Sequence, residues 1–174
     1  MKIQVTGADR LIKRLEAYKK SIEDKQHELL DELAKIGINT ADAKFKTAQY
    51  DGDNDVVVNS VPVWISDNQL AISASGQSIT FIEFGSGVYY SAQQHPKAHE
   101  FGYTIGGYGH HLGLLNSWRY KGVAGTNGEE ITEGSHKGEI LTHGNPPARA
   151  MYDAGKEMRS VMVDIARKVW AKHD

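Results

Sequence analysis

Two rhythms of apolar and polar positions alternate along this chain. Ile3-Gln4-Val5 alternates strictly and predicts a short opening strand, which Thr6-Gly7 breaks. Leu11, Ile12, Leu15 and Tyr18 then recur at helical spacing. Ser21 followed by Asp24 resembles a capping box from which a second helix restarts. Ile22, Leu29, Leu33, Ile36 and Phe45 continue one apolar stripe, with charged residues on the other faces, so the helix is expected to pack on a core.

After the loop Tyr50-Asp51-Gly52-Asp53-Asn54-Asp55 the rhythm changes to β-branched runs. Val56–Val58, Val61–Ile65 and Leu70–Ala74 predict strands joined by Asn-Ser and Asp-Asn turns, and Ile79–Phe84 predicts a further one. Turns this short imply antiparallel pairing, and Pro62 belongs on an edge or at a strand start. From Gly85 to Gly144 no period holds. That stretch carries thirteen of the 18 glycines and six of the eight histidines, interleaved with Tyr and Trp. Sixty structureless residues inside a compact domain are unusual unless they are functional. Residues 88–143 are therefore read as an inserted flexible arm, with a hairpin near 101–122, that orders on contact with a partner. The chain closes with a helix. Asn145 is expected to cap it with Pro146 at its first position and Pro147 in its first turn, and Ala154, Met158, Val161, Ile165 and Val169 form its buried stripe. The fold class this predicts is α+β: an antiparallel sheet packed by a long N-terminal helix and a C-terminal helix, in a single domain spanning 1–174.

Composition narrows the function classes. The chain has 174 residues, a formal net charge of −2 and no cysteine, which removes disulfide frameworks, thiolate zinc sites and cysteine nucleophiles. No apolar run is long enough to span a bilayer, and the mixed charges of residues 1–20 do not read as a secretory signal. Residues 51–84 contain no Lys or Arg and five acids (Asp51, Asp53, Asp55, Asp67, Glu83), a surface that repels phosphate backbones. The acidic loop echoes a calcium loop, but its glycine is misplaced and no closing Glu follows.

Enzymatic patterns are incomplete. His95 and His99 stand four apart, a spacing that presents two metal ligands on one helical face. His110, His111 or His143 would add a third and Glu100 a base, giving an alternative reading as a metal-dependent hydrolase. Against it, Pro96 interrupts the first pair and glycines surround the second. Gly85-Ser86-Gly87 lacks the Gly-x-Ser-x-Gly frame of a nucleophile elbow, and Gly102–Gly109 lacks the Gly-Lys-Ser/Thr of a phosphate loop.

Three stretches together resemble the head–tail joining, or tail-completion, family of long-tailed bacteriophages. They are Val5-Thr6-Gly7-Ala8-Asp9-Arg10-Leu11 with Leu15, then Ile79-Thr80-Phe81-Ile82-Glu83-Phe84-Gly85-Ser86-Gly87, then Gly144-Asn145-Pro146-Pro147-Ala148-Arg149 running into Ala154. The likeness covers about 1–87 and 144–170, and Ala150-Met151 stand where the family usually has Pro-Phe. It implies a small α+β structural protein of the virion neck, assembled in the host cytoplasm, without catalysis or cofactor. The implied partners are copies of itself in a ring, a portal or head-completion protein, and a tail terminator or tail tube protein. No membrane is involved, and DNA at most passes through the channel.

Gly7, Glu83, Phe84, Gly85, Gly87, Pro146, Pro147 and Arg149 are the motif positions. Glu83 is expected to finish a strand and hold amides of the Gly85–Gly87 turn, to pair with Arg149, or to stay exposed; Phe84 is expected to anchor the core. With no heptad seam evident outside the core, the free chain is expected to be a monomer or weak oligomer. Replacing His95, His99, His110 and His111 by Gln is expected to be nearly harmless.

Overall fold

The computed structural model describes residues 7–103 and 115–172. The opening strand at 3–5 and the histidines at 110 and 111 lie outside the described residues. Helix α1 runs unbroken over Ala8–Lys46, so no second helix restarts at Ser21. At 1.5 Å per residue it is about 58 Å long. Gly7, at φ +98°, starts it, and the Leu11 amide donates to the Gly7 carbonyl. Four short strands follow: β1 Val57–Val58, β2 Val63–Ser66, β3 Gln69–Ala71 and β4 Ala74–Ser75. They pair antiparallel, β1 with β4 and β2 with β3, as two ribbons rather than one sheet.

Residues Ile79–Phe84 are a helix, α2, where β-branched content predicted a strand. Asp55 decides this locally. Its carboxylate accepts from the Gln77 amide at 2.6 Å and the Ser78 amide at 2.9 Å, turning the chain into a helical start. Those two bonds hold its pKa below the ordinary carboxylate value. Among its described residues the arm contributes a 3₁₀ turn at Ser91–Gln93 and three strands, β5 Trp118–Tyr120, β6 Glu129–Glu130 and β7 Ile140–Thr142. They form an antiparallel sheet in the order β5-β7-β6. Trp118–Tyr120 therefore pairs with 140–142 and not within a hairpin at 101–122; residues 104–114 of that stretch lie outside the described ones. Helix α3, Ala150–Ala171, closes the chain.

The core lies where α1 and α3 cross antiparallel, over α2. Ala41, Ala150 and Ala154 are wholly buried, and Phe45 and Ile82 fill the space beside them. Small residues let the two helix axes approach closely: a Cβ on Gly37 would sit 2.7 Å from the Met158 sulfur. Lys44 pairs with Asp153 at one end of the crossing, and Lys172 with Glu28, at 2.7 Å, at the other. The stripe expected on α3 does face inward. Half of the stripe expected on α1 does not. Leu33 and Phe45 are buried, whereas Leu11 (59% exposed), Leu15 (57%), Tyr18 (67%) and Ile22 stand in solvent because α3 ends before reaching them.

Candidate functional site

Two of the stretches that carry the family resemblance meet in space although about sixty residues separate them. Ser86 and Asn145 form an antiparallel bridge, with the Ser86 amide donating to the Asn145 carbonyl (2.9 Å) and the Asn145 amide to the Ser86 carbonyl (3.2 Å). The Ser86 hydroxyl donates to the Asn145 side-chain oxygen, and Asn145 Nδ2 donates to the Phe81 carbonyl at 2.9 Å. Asn145 is thus a fully buried clamp between α2 and the approach to α3.

Glycine is required where the strands touch. Gly85 and Gly144 have φ of +81° and +79°; a Cβ at Gly85 would lie 2.8 Å from the Pro147 nitrogen, and one at Gly144 2.2 Å from the Ser86 carbonyl oxygen. Gly87 lies against the Trp118 indole, and Pro146 and Pro147 run along the α2 turn as an extended, half-buried segment. Neither proline is inside the helix. It begins four residues later than the sequence suggested, with Arg149 at its N-cap in a left-handed conformation, φ 55°.

Arg149 offers no side-chain cap, and Glu83 supplies one from another element. Its Oε2 accepts from the Met151 amide at 3.0 Å and its Oε1 from the Tyr152 amide at 3.1 Å. These second and third helical amides are the ones an N-cap side chain would normally satisfy, and a carboxylate there also meets the positive end of the helix dipole. Backbone bonds align the two elements: the Ala148 amide donates to the Ile82 carbonyl and the Arg149 amide to that of Glu83. Glu83 is therefore not a strand-end carboxylate, and the amides it holds belong to α3. The Arg149 guanidinium instead donates to the Gln93 carbonyl at 3.4 Å.

His95 completes the cap. Its Nε2 lies 3.3 Å from Glu83 Oε1, and its Nδ1 accepts from the Lys97 amide at 3.0 Å. One nitrogen accepting from an amide and the other facing a carboxylate describes a neutral imidazole with its proton on Nε2. Burial lowers the His95 pKa, opposed by the Glu83 charge and its hydrogen bond. Phe84 is not the core anchor; Ile82 is. Phe84 stacks on Tyr103 with centroids 4.4 Å apart and meets the His95 ring edge-on at 4.5 Å, forming an aromatic cluster beside the cap.

The described members of the metal-ligand set read from the sequence do not come together. His95 is buried in the cap, whereas His99 is exposed and Glu100 pairs with Lys97. His143 bonds the Asn116 carbonyl through Nδ1 at 2.8 Å. Among the described residues no group of three or more His, Asp or Glu is disposed to hold a metal ion. The acidic loop is likewise occupied by its own chain. Asp51 is buried and fastens the arm: it accepts from the Asn127 amide at 2.6 Å and from the Thr142 hydroxyl, while its carbonyl accepts from the Tyr120 hydroxyl. Burial raises the Asp51 pKa.

Sequence reasoning missed Asp51, Ser86, Asn145 and the partnership of Glu83 with His95. Only Asn145 carried a local signal, as a capping residue, and its actual role is different. The arrangement is a structural junction: every polar group named in it has a protein partner, and none is left aimed at open space. Among the described residues no helix is long and apolar enough to cross a membrane. Comparison of the chain with family models, with curated proteins and with solved structures returns no match.

Proposed function

We propose that this chain is a non-enzymatic structural protein of a long-tailed bacteriophage, acting at the neck as a ring between the portal-side connector and the tail tube. The observation that carries the reading is the junction itself. Glu83-Phe84-Gly85-Ser86-Gly87 and Gly144-Asn145-Pro146-Pro147-Ala148-Arg149, from two of the three stretches of the resemblance, interlock and set the start of α3. Residues shared with a family for such a reason define a scaffold, not a reaction. The exposed apolar half of α1 and the exposed Val61, Val63 and Ile65 at and before β2 supply surface for protein partners.

Immunogold labelling of purified virions tests the placement. Label confined to the head–tail vertex is the expected result. Label spread over the capsid would indicate a decorating protein, and its absence from virions would remove the structural reading. His95 is buried against Glu83, so Gln at His95 is expected to reduce stability, whereas Gln at His99, His110 and His111 leaves assembly intact. Loss of assembly by that triple variant while it remains folded would favour a histidine-dependent activity.

A further inference from the structure

Residues 94–103 lie on the α2–α3 junction from outside, and the His95 ring fastens them there. His95 is 4% exposed and Ala98 1%, whereas their neighbours from Ser91 to Gly102 face solvent. The Ala98, Phe101 and Tyr103 amides donate to the carbonyls of His95, Lys97 and Ala98, so the segment is a turn bonded to itself. It meets the junction through His95, whose Nε2 lies 3.3 Å from Glu83 Oε1 and whose ring is edge-on to Phe84 at 4.5 Å and to Tyr152 at 5.3 Å. Tyr103 adds its stack on Phe84, and the Gln93 carbonyl just before the segment accepts from the Arg149 guanidinium.

The two ring nitrogens differ in what a second proton does. In the neutral ring Nε2 already donates to Glu83, so protonation adds no bond there. The added proton falls on Nδ1, which accepts from the Lys97 amide at 3.0 Å. Two N–H groups then face each other and a positive charge is enclosed, whereas in an open segment both nitrogens donate to water. Charged and titratable groups surround the ring: Glu83 from α2, then Arg149, Tyr152 and Asp153 from the start of α3, with Asp153 paired to Lys44 of α1. Within the segment the Lys97 ammonium is taken up by Glu100. Burial, the largest influence, and Arg149 oppose the charged ring, Glu83 and Asp153 favour it, and the balance lowers the His95 pKa. The closed segment therefore binds this proton more weakly than the open one, and acid favours opening.

We propose that residues 94–103 form a pH-sensitive latch: protonation of His95 at Nδ1 breaks its bond with the Lys97 amide and releases the segment from α2 and α3, uncovering Phe84. This goes beyond the neck assignment and does not depend on it, since it rests on the geometry around His95. The opening is local. Glu83 keeps the Met151 and Tyr152 amides, and the bridge between Ser86 and Asn145 contains no titratable group.

Amide exchange of the whole chain, read residue by residue by NMR between about pH 7.5 and about pH 5 and corrected for the intrinsic pH dependence of exchange, tests the latch. Protection of the Ala98 and Tyr103 amides is expected to fall about tenfold or more, with its midpoint where the His95 ring itself titrates. The Met151 and Tyr152 amides are expected to hold theirs to within about twofold. His95→Asn is the companion variant: an Asn oxygen accepts from the amide two residues on, as His95 Nδ1 does, and gains no proton. Its segment is expected to stay protected across the range. Unchanged protection in the wild type would overturn the proposal, as would a loss shared equally by the α3 amides, which would mean global unfolding. A midpoint away from the His95 titration, or the same decline in His95→Asn, would place the switch in another group and also overturn it. The midpoint comparison in the wild type decides even if that variant does not fold.

Discussion

The junction of residues 83–87 with 144–152 and the N-terminal half of α1 solve opposite problems. In the first, polar groups are buried and each named one is paired: Asn145 with Ser86 and Phe81, Glu83 with two α3 amides and His95. In the second, apolar groups are exposed, with no cover from the other described residues. Burying polar groups is favourable only when every partner is in place, so the first region tolerates almost no change and acts as a fixed hinge between α2 and α3. Exposing Leu11, Leu15 and Tyr18 adds little to the fold, so that region is free to serve contacts. The interlocked stretches build the frame, while the N-terminal half of α1 presents apolar surface.

The sharpest way to break this contrast is Gly144→Ala. A methyl there would sit 2.2 Å from the Ser86 carbonyl oxygen, at a φ that L-residues avoid. The bridge must open or the variant must unfold, at a cost of about 3 kcal/mol or more in urea denaturation. A change below about 1 kcal/mol would mean that the junction is not a fixed element. Glu83→Ala comes next. It strips the Met151 and Tyr152 amides and the His95 proton of their acceptor, for an expected loss of about 2–3 kcal/mol. Glu83→Gln keeps an acceptor oxygen and should lose less than half as much. Equal losses would show that charge on the helix dipole, and not capping, dominates.

Acid sharpens the contrast further. Burial depresses the His95 pKa from 6.5, so the unfolded chain takes up this proton before the folded one. Stability supplied by the neutral imidazole is complete above pH 6.5 and declines as pH falls below that value, by at most about 1.4 kcal/mol per unit. Asp51 has the opposite sign. Its raised pKa means the fold holds that proton more tightly, so its contribution is present below pH 3.8 and is lost as pH rises through the folded value. Denaturation at pH 7 and pH 5.5 should show the decline in the wild type and a flatter response in His95→Gln. The smallest effect belongs to the other region: Leu15→Glu should leave unfolding stability within about 0.5 kcal/mol of wild type.

These differences also explain what the sequence could convey. The α3 stripe from Ala154 to Val169 was legible because its period is regular and α3 is packed along its length. The same logic applied to α1 found a real helix but assigned its N-terminal half to the core, since periodicity reports a face and not what covers it. Ile79–Phe84 was misread because β-branched residues suggest a strand, and the Asp55 carboxylate that starts the helix lies 23 residues from Ser78 in sequence. The cap on α3 was invisible for a related reason. Local rules look for the capping side chain just before a helix, and here it comes from Glu83, 67 residues before the first helical residue, Ala150. The histidines looked like ligands because sequence spacing carries no information on burial, and burial separates His95 from His99.

The most direct test of the neck assignment is deletion of the gene in the phage that encodes the chain, with electron microscopy of the lysate. The account predicts DNA-filled heads and complete tails that remain unjoined, with joining restored by the wild-type gene supplied in trans and not by the Gly144→Ala form. Joined, infectious particles in the deletion lysate, or a block before heads fill, would contradict it.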